Sequence, residues 1–301
     1  MLDKIYDLVT PWAVADGAQK FKNRVLGQIA NYVYPLYCRT SPIKPKKSLG
    51  NKKVIVSLTS FPARIEKVYL CVNSLLRQTY PAERVILWLA HTQFPNKRNL
   101  PSKLLALEDK GLEIKFCEDL RSYKKIFFTA QEFVGDIIIT ADDDTLYPEY
   151  WIEELIRTHE ENSRCVCCHR AHKMVFKGEN VAPYNEWIGL SPNEKGPAMD
   201  LVPIGVGGVL YPAHFFEGII FDSDVIRKLC PTTDDLWLKT LGVIKGYKVA
   251  KVRENSKEWF TLKNTQKNSL MNKNVAENMN DQSLLKLFQF YNISYDMFRK
   301  E

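Results

Sequence analysis

The sequence predicts an α/β protein built on a mostly parallel sheet with helices on both faces. Short apolar runs rich in β-branched residues alternate with segments of helical periodicity from Val54 to Thr140. The chain has 301 residues, of which 45% are hydrophobic, and can therefore bury one large core with appendages. We divide it into an N-terminal arm (1–50), a central domain (51–252) and a polar tail with a C-terminal helix (253–301).

Strands and helices are predicted in regular succession. The strands are Val54–Thr59, Arg84–Ala90, Leu112–Phe116 and Ile137–Thr140, and the helices are Ile65–Gln78, Ser102–Lys110, Ile126–Phe133 and Trp151–His159. Repeated β-α units make consecutive strands parallel, so that their carboxyl ends share one edge of the sheet. We expect a ligand site at that edge.

The fourth strand stops at three consecutive acidic residues, Asp142, Asp143 and Asp144. Their repulsion would raise their pKa values unless a cation or several hydrogen-bond donors lie between them. Side chains alternate along extended backbone, so Asp142 and Asp144 are expected to face the same side, about 7 Å apart. Hard oxygen ligands favour Mg²⁺ or Mn²⁺, which complete their shells with water and substrate phosphates. The pattern predicts a metal site and a ligand that carries a diphosphate.

Two other interpretations of the acidic run are open. Pro148 and Glu149 stand just before Trp151, so a carboxylate could simply favour the first turn of the helix that begins there. One carboxylate would suffice for that role. Aspartyl-nucleophile phosphatases of the haloacid dehalogenase class also place Asp-x-Asp after a hydrophobic strand, but here Thr145 follows Asp144 directly, which breaks their register by one residue.

The net charge of +7 is concentrated at the start of the chain. Residues 1–53 hold ten Lys or Arg and three Asp, which leaves 42 − 10 = 32 basic and 35 − 3 = 32 acidic residues beyond them. A neutral central domain argues against a nucleic-acid partner, which would require a basic stripe.

Seven cysteines and a first segment without a secretory pattern predict a reducing, cytoplasmic location. The cluster from Cys165 to His172 has a spacing that matches no common zinc site, so its thiols are expected in a buried strand. Pro and Gly interrupt the longest apolar stretch, Leu201 to Phe216, which therefore does not resemble a membrane span.

The N-terminal arm contains an amphipathic helical pattern. Apolar residues recur at helical spacing at Phe21, Val25, Ile29, Val33 and Leu36, with basic residues at Lys20, Lys22 and Arg24 and a Lys-rich linker from Lys44 to Lys53. Such a helix could lie on the inner face of the cell membrane, where each basic residue contributes about 1 kcal/mol near anionic lipid. Packing of the apolar face on the central domain is the alternative, since any docked helix shows this periodicity.

Two loops at strand ends suit a nucleotide diphosphate. The loop after the first strand carries hydroxyls and a cation where a helix begins, at Thr59, Ser60 and Arg64. The loop after the third carries a carboxylate for sugar hydroxyls, an aromatic ring and two ammonium groups, at Asp119, Tyr123, Lys124 and Lys125. Solvated surface is the alternative for these basic residues. No Gly-x-Gly-x-x-Gly or Walker loop follows the first strand, which argues against a dinucleotide cofactor or P-loop hydrolysis.

With these features the chain resembles the GT-A glycosyltransferases, and most closely the bacterial family-2-like enzymes that make surface polysaccharides. The resemblance runs from about Val54 to Lys251 and rests on four stretches, which are Ser57 to Ile65, Thr140 to Asp144 with Tyr147-Pro148, Gly207 to Pro212, and Thr233 to Trp237. It implies a GT-A fold, a divalent metal, a nucleotide-sugar donor such as a UDP-sugar, and a hexosyltransferase-like activity (EC 2.4).

The resemblance also implies roles for individual residues. Asp142 and Asp144 would hold the metal and the donor diphosphate, and Asp143 would contact the ribose. By analogy with the Glu-Asp pair of inverting members, Asp235, with Asp234 beside it, would remove the proton of the attacking acceptor hydroxyl. In a retaining enzyme that role lapses. No His follows His214, so the C-terminal His that many GT-A enzymes use as a further metal ligand is not visible.

The acceptor is expected between Phe176 and Trp237. The long segment from Lys177 to Pro203 contains Tyr184 and Trp187, whose rings could stack on sugars, and Trp237 is a further candidate. Gly207 and Gly208 would let the backbone approach a ligand closely, although a bulged strand explains them almost as well.

The tail is interpreted in two parts. The polar segment from Arg253 to Asn280 is either flexible surface or a lid whose lysines, Lys257, Lys263, Lys267 and Lys273, close over the diphosphate. A C-terminal helix follows, with Asp281 as its cap and Leu284, Leu287, Phe288 and Tyr291 on one face.

Together these features predict a metal-dependent, inverting transferase that moves a sugar from a nucleotide-diphosphate sugar to a saccharide or lipid-linked saccharide acceptor. One alternative is a sugar-phosphate nucleotidyltransferase, although Thr59 to Arg64 lacks the Gly that the first loop of that class carries. A non-catalytic saccharide-binding relative is the other.

Overall fold

The structure, a computed structural model, describes residues 1–43, 53–265 and 278–298. The helices in these ranges are α1 (Leu2–Tyr6), α2 (Gly17–Thr40), α3 (Ile65–Leu75), α4 (Ser102–Leu105), α5 (Lys124–Glu132), α6 (Trp151–Glu161), α7 (Ser223–Leu229), α8 (Asp234–Ile244) and α9 (Met279–Phe290). The strands are β1 (Val54–Thr59), β2 (Arg84–Ala90), β3 (Leu112–Cys117), β4 (Ile137–Thr140), β5 (Thr145–Leu146), β6 (Cys165–Cys168), β7 (Ala171–Lys173), β8 (Phe176–Lys177), β9 (Asn180–Val181), β10 (Leu201–Pro203), β11 (Val209–Tyr211), β12 (Lys248–Lys251) and β13 (Phe260–Thr261).

A seven-stranded sheet in the order β12-β6-β11-β4-β1-β2-β3 forms the centre of the protein. Strand β11 is antiparallel to both of its neighbours, and the other pairs are parallel. The carboxyl ends of β1, β4 and β6 therefore lie at the same edge, where the connection that enters β11 also arrives. The predicted α/β fold with a mostly parallel sheet is confirmed.

Helices cover both faces of this sheet. On strand β4, Ile137 and Ile139 join the core that includes helices α3, α4 and α6, whereas Ile138 joins the core that includes α5, α8 and α9. This alternation explains the continuous apolar run, because a strand buried on both faces has no solvated side. The bounds of β1, β2 and β4 agree with the prediction, and those of the predicted helices differ by a few residues. Ser102–Lys110 is divided into α4 and a separate turn of 3₁₀ helix at Glu108–Lys110.

The N-terminal helices are part of the same structure. Tyr6 is fully buried, and its hydroxyl donates to the Leu146 carbonyl at 2.5 Å and accepts from the Phe260 amide at 2.7 Å. It thereby links the paired strands β5 and β13, and β5 directly follows the acidic run in the chain. Helix α2 buries Ala30 and Tyr34, and Asn31 exchanges hydrogen bonds with the Thr261–Lys263 segment.

The apolar stripe predicted for α2 faces outward. Phe21 is 67% exposed, Ile29 is 44% exposed and Leu36 is 59% exposed, while Ala30 and Tyr34 on the other face pack against the protein. The stripe is thus not the surface by which this helix docks. Among the described helices, none has the length and apolar content needed to cross a bilayer.

Helix α9 forms as predicted, but its start differs. Leu284, Leu287 and Phe288 are buried in the core. The helix begins after Asn278, in a left-handed conformation with φ of 52°, so that Asp281 lies inside the first turn and is not the cap. The Asp281 carboxylate instead accepts a hydrogen bond from the Tyr184 amide at 2.8 Å.

Gly208 has no space for a side chain. Its φ is 89°, and a Cβ atom there would lie 2.1 Å from Cζ2 of Trp151, whose indole Nε1 donates to the Gly207 carbonyl at 2.8 Å. The Gly207-Gly208 pair therefore lets the chain pass across the Trp151 ring on its way into β11.

We expect Gly208→Ala to lower the free energy of unfolding by about 3 kcal/mol, because it adds both backbone strain and a clash with a fully buried ring. Gly218→Ala is the matched control, since Gly218 also has a positive φ, of 72°, but no atom within 4 Å of its Cβ position. Its loss should stay near 1 kcal/mol. Urea denaturation measures both, and equal losses would contradict the role assigned to Trp151.

Candidate functional site

A cavity of about 750 Å³ opens at the edge of the sheet where β1, β4 and β6 end. Its walls include the loop after β1, the acidic run after β4, the segment after β3, the Gly205 turn before β11 and the start of α8. The predicted location of the site is the location of this cavity.

The acidic run leaves the strand in a turn. Asp142 is held by its backbone, since its amide donates to the Tyr147 hydroxyl at 2.9 Å and its carbonyl accepts from the Cys71 thiol at 3.1 Å. Asp143 and Asp144 lie in the turn that follows, so the strict alternation expected from extended backbone does not continue past Asp142. Asp142 and Asp144 nevertheless both line the cavity.

Arg64 compensates two of the three carboxylates. Its Nη1 lies 2.6 Å from Asp143 Oδ1, and its Nη2 lies 3.0 Å from Asp144 Oδ2. Ser60 donates its hydroxyl to the other oxygen of Asp143 at 2.5 Å, and the Thr265 hydroxyl donates to Asp144 at 3.3 Å. Burial alone would lower the pKa of Arg64, but Asp143 and Asp144 raise it above its ordinary value.

Lys125 connects the third carboxylate to a second acidic pair. Its Nζ lies 3.1 Å from Asp142 Oδ1 and 3.3 Å from Asp234 Oδ2. Asp235 lies beside them and accepts from the Gly205 amide at 3.1 Å. Burial would lower the pKa of Lys125, but the three carboxylates raise it well above its ordinary value. This ammonium is therefore a permanent positive charge in the site.

A third group of polar side chains surrounds Asp119. Its carboxylate accepts from Lys124 Nζ at 2.7 Å, from Gln93 Nε2 at 2.8 Å and from the Arg121 amide at 3.0 Å. Burial raises the pKa of Asp119, but the hydrogen bonds from Lys124 and the Arg121 amide, together with the charges of these two residues, outweigh it, and the pKa lies below its ordinary value. Asp119 is thus ionised and oriented at the rim of the cavity.

Two carboxylates in the cavity have raised pKa values. Burial, and then repulsion from Asp142, raises the pKa of Asp144 to about 7 despite Arg64. Burial, and then repulsion from Asp234, raises the pKa of Asp235 to about 7. A further positive charge, or a proton to be taken up, is accommodated at each of these positions.

The residues around Asp142 and Asp144 fit a divalent cation in part. In the part of the chain that the structure describes, no three His, Cys, Asp or Glu side chains converge on a common metal position. Two carboxylates that face one cavity suit Mg²⁺ or Mn²⁺, because these ions usually take one or two carboxylates and complete their shells from water and phosphates.

The structure brings most predicted site residues together. The cavity lining contains Thr59, Ser60, Arg64, Asp119, Lys124, Lys125, Asp142, Asp143, Asp144, Tyr184, Asp234 and Asp235. Their roles in donor, metal and acceptor binding and in catalysis remain predictions.

Five other predicted residues lie outside the cavity lining. Tyr123 is buried beneath it and donates to the Cys230 carbonyl, and Trp187 is buried with its Nε1 donating to the Ala182 carbonyl at 2.9 Å. Trp237 is 1% exposed and packs against the Tyr123 ring. Gly207 and Gly208 serve the passage across Trp151. Large aromatic side chains near a site are readily buried by their own apolar area, so direct ligand contacts are not proposed for these residues.

Several lining residues were not anticipated, among them Gln93, Arg121, Arg170, His172 and Asn280. Arg170 and His172 lie in the segment whose cysteines were considered as metal ligands. The cysteines are buried in β6 and are free, as predicted, while the residues just after the strand reach the cavity. The sequence feature that could have identified Arg170 is its position after a buried strand, which is the feature that identified Asp142.

The lysines proposed for a lid fall into two sets. Lys267 and Lys273 lie outside the described residues. Lys257 donates to the Tyr6 carbonyl at 3.1 Å, and Lys263 contacts the Tyr32 ring, so both are engaged with the N-terminal helices. The linker lysines Lys44, Lys46, Lys47 and Lys52 also lie outside the described residues.

Residues 102–209, about a third of the chain, match the family model described as Glycosyl transferase family 2. The match includes Asp119 and the acidic run and ends before Asp234. A search of curated proteins finds no match.

Solved structures share the fold. The mannosyltransferase PcManGT from Pyrobaculum calidifontis, in complex with GDP-Man and Mn²⁺, superimposes with a TM-score of 0.50 at 12% sequence identity, covering 88% of this chain and 74% of that one. A CMP:2-keto-3-deoxy-manno-octonic acid synthetase complexed with CTP gives a TM-score of 0.44 at 11% identity, covering 76% and 99%, which is too low to bear on the fold. The family match and the GT-A type of fold support glycosyltransferase activity (EC 2.4) for this protein.

Lys125→Met tests the charge balance of the site without reference to catalysis. It keeps most of the side-chain volume but leaves Asp142, Asp234 and Asp235 without the ammonium between them. We expect the free energy of unfolding to fall by about 3 kcal/mol near pH 8. Burial and Asp234 already raise the pKa of Asp235, and removal of the ammonium raises it further, so protonation relieves the repulsion as the pH falls, and the loss should shrink toward about pH 5.

Urea denaturation of both proteins at the two pH values measures this difference. Lys97→Met is the matched control, because the Lys97–Glu108 pair is exposed on the surface. Its effect should stay within about 0.5 kcal/mol at either pH. A loss for Lys125→Met that does not depend on pH would contradict the electrostatic explanation.

Proposed function

We propose that this protein is a metal-dependent, inverting glycosyltransferase that moves a sugar from a nucleotide-diphosphate sugar to a saccharide or lipid-linked saccharide acceptor in surface polysaccharide synthesis. The observation that carries the proposal is that the acidic run and the Asp234–Asp235 pair share one cavity and are joined by Lys125. In such a reaction the donor site and the acceptor base must adjoin, because the acceptor oxygen bonds to the same sugar carbon from which the diphosphate departs.

The donor would occupy the half of the cavity formed by the β1, β3 and β4 loops. Thr59, Ser60 and Arg64 lie where α3 begins, a position that favours phosphate through free amides and the helix dipole. Asp119 is ionised and suits sugar or ribose hydroxyls, and Lys124 and Lys125 add positive charge. Asp143 would contact the ribose. The donor base is proposed as uracil from the resemblance, with guanine as the alternative suggested by the GDP-Man that the Pyrobaculum enzyme binds.

Asp142 and Asp144 would hold Mn²⁺ or Mg²⁺. The ion would supply positive charge to the departing diphosphate. Arg64 and Lys125 also compensate part of this negative charge and lie beside the carboxylates, where they would help to stabilise phosphate oxygens. The Mn²⁺ in the Pyrobaculum structure supports this choice of metal.

Asp235 would act as the general base. Its carboxylate has a pKa raised to about 7 by burial and by Asp234, which makes it a stronger proton acceptor than an ordinary aspartate. Its Oδ2 is oriented by the Gly205 amide. The acceptor hydroxyl would approach from the side of Tyr184, which lines the same wall.

Single substitutions should separate donor binding from catalysis. Asp142→Asn and Asp144→Asn should each abolish the thermal stabilisation that Mn²⁺ with UDP or GDP gives the wild-type protein, because the metal loses a charged ligand. Asp235→Asn should keep that stabilisation and reduce sugar transfer by about 10²- to 10⁴-fold, because it removes the base and not the donor site. Thermal denaturation and product analysis with UDP- and GDP-sugars measure the two effects.

Asp136→Asn is the matched control, since Asp136 precedes β4 at the opposite edge of the sheet. It should change neither quantity. A wild-type protein that is not stabilised by either nucleotide with Mn²⁺ would refute the proposed donor site, and full transfer activity in Asp235→Asn would refute the base.

We also propose that the outward face of α2 contacts a membrane that contains anionic lipid. Phe21, Ile29 and Leu36 are exposed on a single helix, and Lys20, Lys22 and Arg24 lie at its start. The first 53 residues carry ten basic and three acidic groups, so the net charge of this part of the sequence is complementary to an anionic bilayer. Such a position would place a lipid-linked acceptor at the surface where the enzyme works.

Sedimentation with vesicles tests this contact. The wild-type protein should bind vesicles that contain phosphatidylserine and bind pure phosphatidylcholine weakly. The triple variant Phe21→Ser, Ile29→Ser, Leu36→Ser should lose at least about ten-fold in partitioning, because three partly inserted apolar side chains are removed. Ile220→Ser, at a position that is 86% exposed elsewhere on the protein, is the control. Equal binding of the triple variant and the wild-type protein would refute the contact.

A further inference from the structure

Arg170 is a cation in the cavity wall that forms no ion pair with any carboxylate of the described residues. It lines the cavity, and its Nε atom is buried without a hydrogen-bond partner in the described part of the chain. No carboxylate among the described residues lies within the 4.0 Å of its guanidinium that defines an ion pair. Burial lowers the pKa of Arg170, with Glu258 and then Asp142 acting in the opposite direction from a greater distance.

The other buried cations of the cavity are already paired. Arg64 binds Asp143 and Asp144, Lys124 binds Asp119, and Lys125 binds Asp142. A partly buried guanidinium that holds no anion destabilises the folded protein, since the part of its hydration lost on burial is not replaced. An anionic ligand at Arg170 would offset that loss.

The position of Arg170 assigns it to the acceptor half. It follows β6, which lies on the opposite side of β4 from β1, β2 and β3, whose loops form the proposed donor site. His172 and Tyr184 lie in the same cavity wall, and their ring centroids are 6.0 Å apart. The donor diphosphate, as proposed, and Arg170 would thus lie on different sides of Asp142.

The arginine is held in place by its surroundings. Its carbonyl accepts from the Ile204 amide at 2.9 Å. Its stem packs on Gly207, where a Cβ atom would lie 2.8 Å from Arg170 Cγ. Burial lowers the pKa of His172 to about 4, so that ring is neutral near pH 7 and Arg170 supplies the charge of this wall.

We propose that Arg170 binds an anionic group, a phosphate or a carboxylate, carried by the saccharide acceptor. The planar guanidinium can donate two parallel hydrogen bonds to either oxyanion, and such charge-assisted pairs are strong when buried. The inference rests on the proposed glycosyltransferase function, and it specifies the acceptor as an acidic or phosphorylated saccharide.

Calorimetry with three related sugars tests the inference. Glucose, glucuronate and glucose 6-phosphate are titrated into protein saturated with Mn²⁺ and the nucleoside diphosphate that stabilises it. At least one charged sugar should bind about ten-fold more tightly than glucose, and the preferred one distinguishes a carboxylate from a phosphate. Arg170→Gln should remove the preference, and Arg170→Lys should restore part of it.

Arg121→Gln is the matched control, because Arg121 lines the same cavity on the donor side. It should leave the preference among the sugars unchanged. Nucleoside diphosphate affinity should stay within about two-fold in Arg170→Gln, because its charge lies apart from the donor half. The inference is overturned if the wild-type protein shows no preference, if the preference survives Arg170→Gln, or if that variant loses nucleotide affinity to the same extent. A wild-type protein that binds nucleotide but shows no sugar preference defeats this inference alone, whereas failure to bind nucleotide defeats the donor site itself.

Discussion

Charge compensation at the end of β4 is the constraint on which the site depends. Six aspartates line one cavity, and the protein places Arg64 and Lys125 among five of them, namely Asp142, Asp143, Asp144, Asp234 and Asp235. Arg64 comes from the start of α3 on one face of the sheet, and Lys125 comes from α5 on the other. Both helical layers must therefore pack correctly before the negative charges are stabilised. The acidic residues lie together because the fold supplies a cation from each side.

Buried polar groups in the apolar core also hold the acidic loop after β4 in place. The Tyr147 hydroxyl accepts from the Asp142 amide, and the Tyr6 hydroxyl links the neighbouring strands β5 and β13. The Asp144 carbonyl accepts from the Leu262 amide at 2.7 Å. Buried hydroxyls with both partners satisfied rigidify their surroundings, so the carboxylates are presented from a backbone with little freedom to relax away from each other.

Much of this arrangement was predictable from local patterns, and the remainder depended on tertiary packing. The runs at Val54–Thr59 and Ile137–Thr140 are strongly β-branched and buried on both faces, so their bounds and the position of the acidic site followed from sequence. The side chains of Trp187 and Trp237 are suited either to a hydrophobic core or to a ligand contact, and both are buried in the core. Asp281 has the chemistry of a helix cap, but the chain begins α9 earlier and the carboxylate binds the Tyr184 amide. The sequence alone did not single out Arg170, because whether an arginine forms an ion pair depends on the folded structure.

Among the described strands of the central sheet, β11 alone runs antiparallel to its neighbours. Its amino end, rather than its carboxyl end, therefore lies at the functional edge, and Gly205 reaches the cavity between the loops that follow β4 and β6. Under the proposed function, changes around Arg170 would alter which acceptor is bound, while the residues around Arg64 would continue to bind the same nucleotide sugar. A reversed strand of three residues would thereby let the two specificities vary separately.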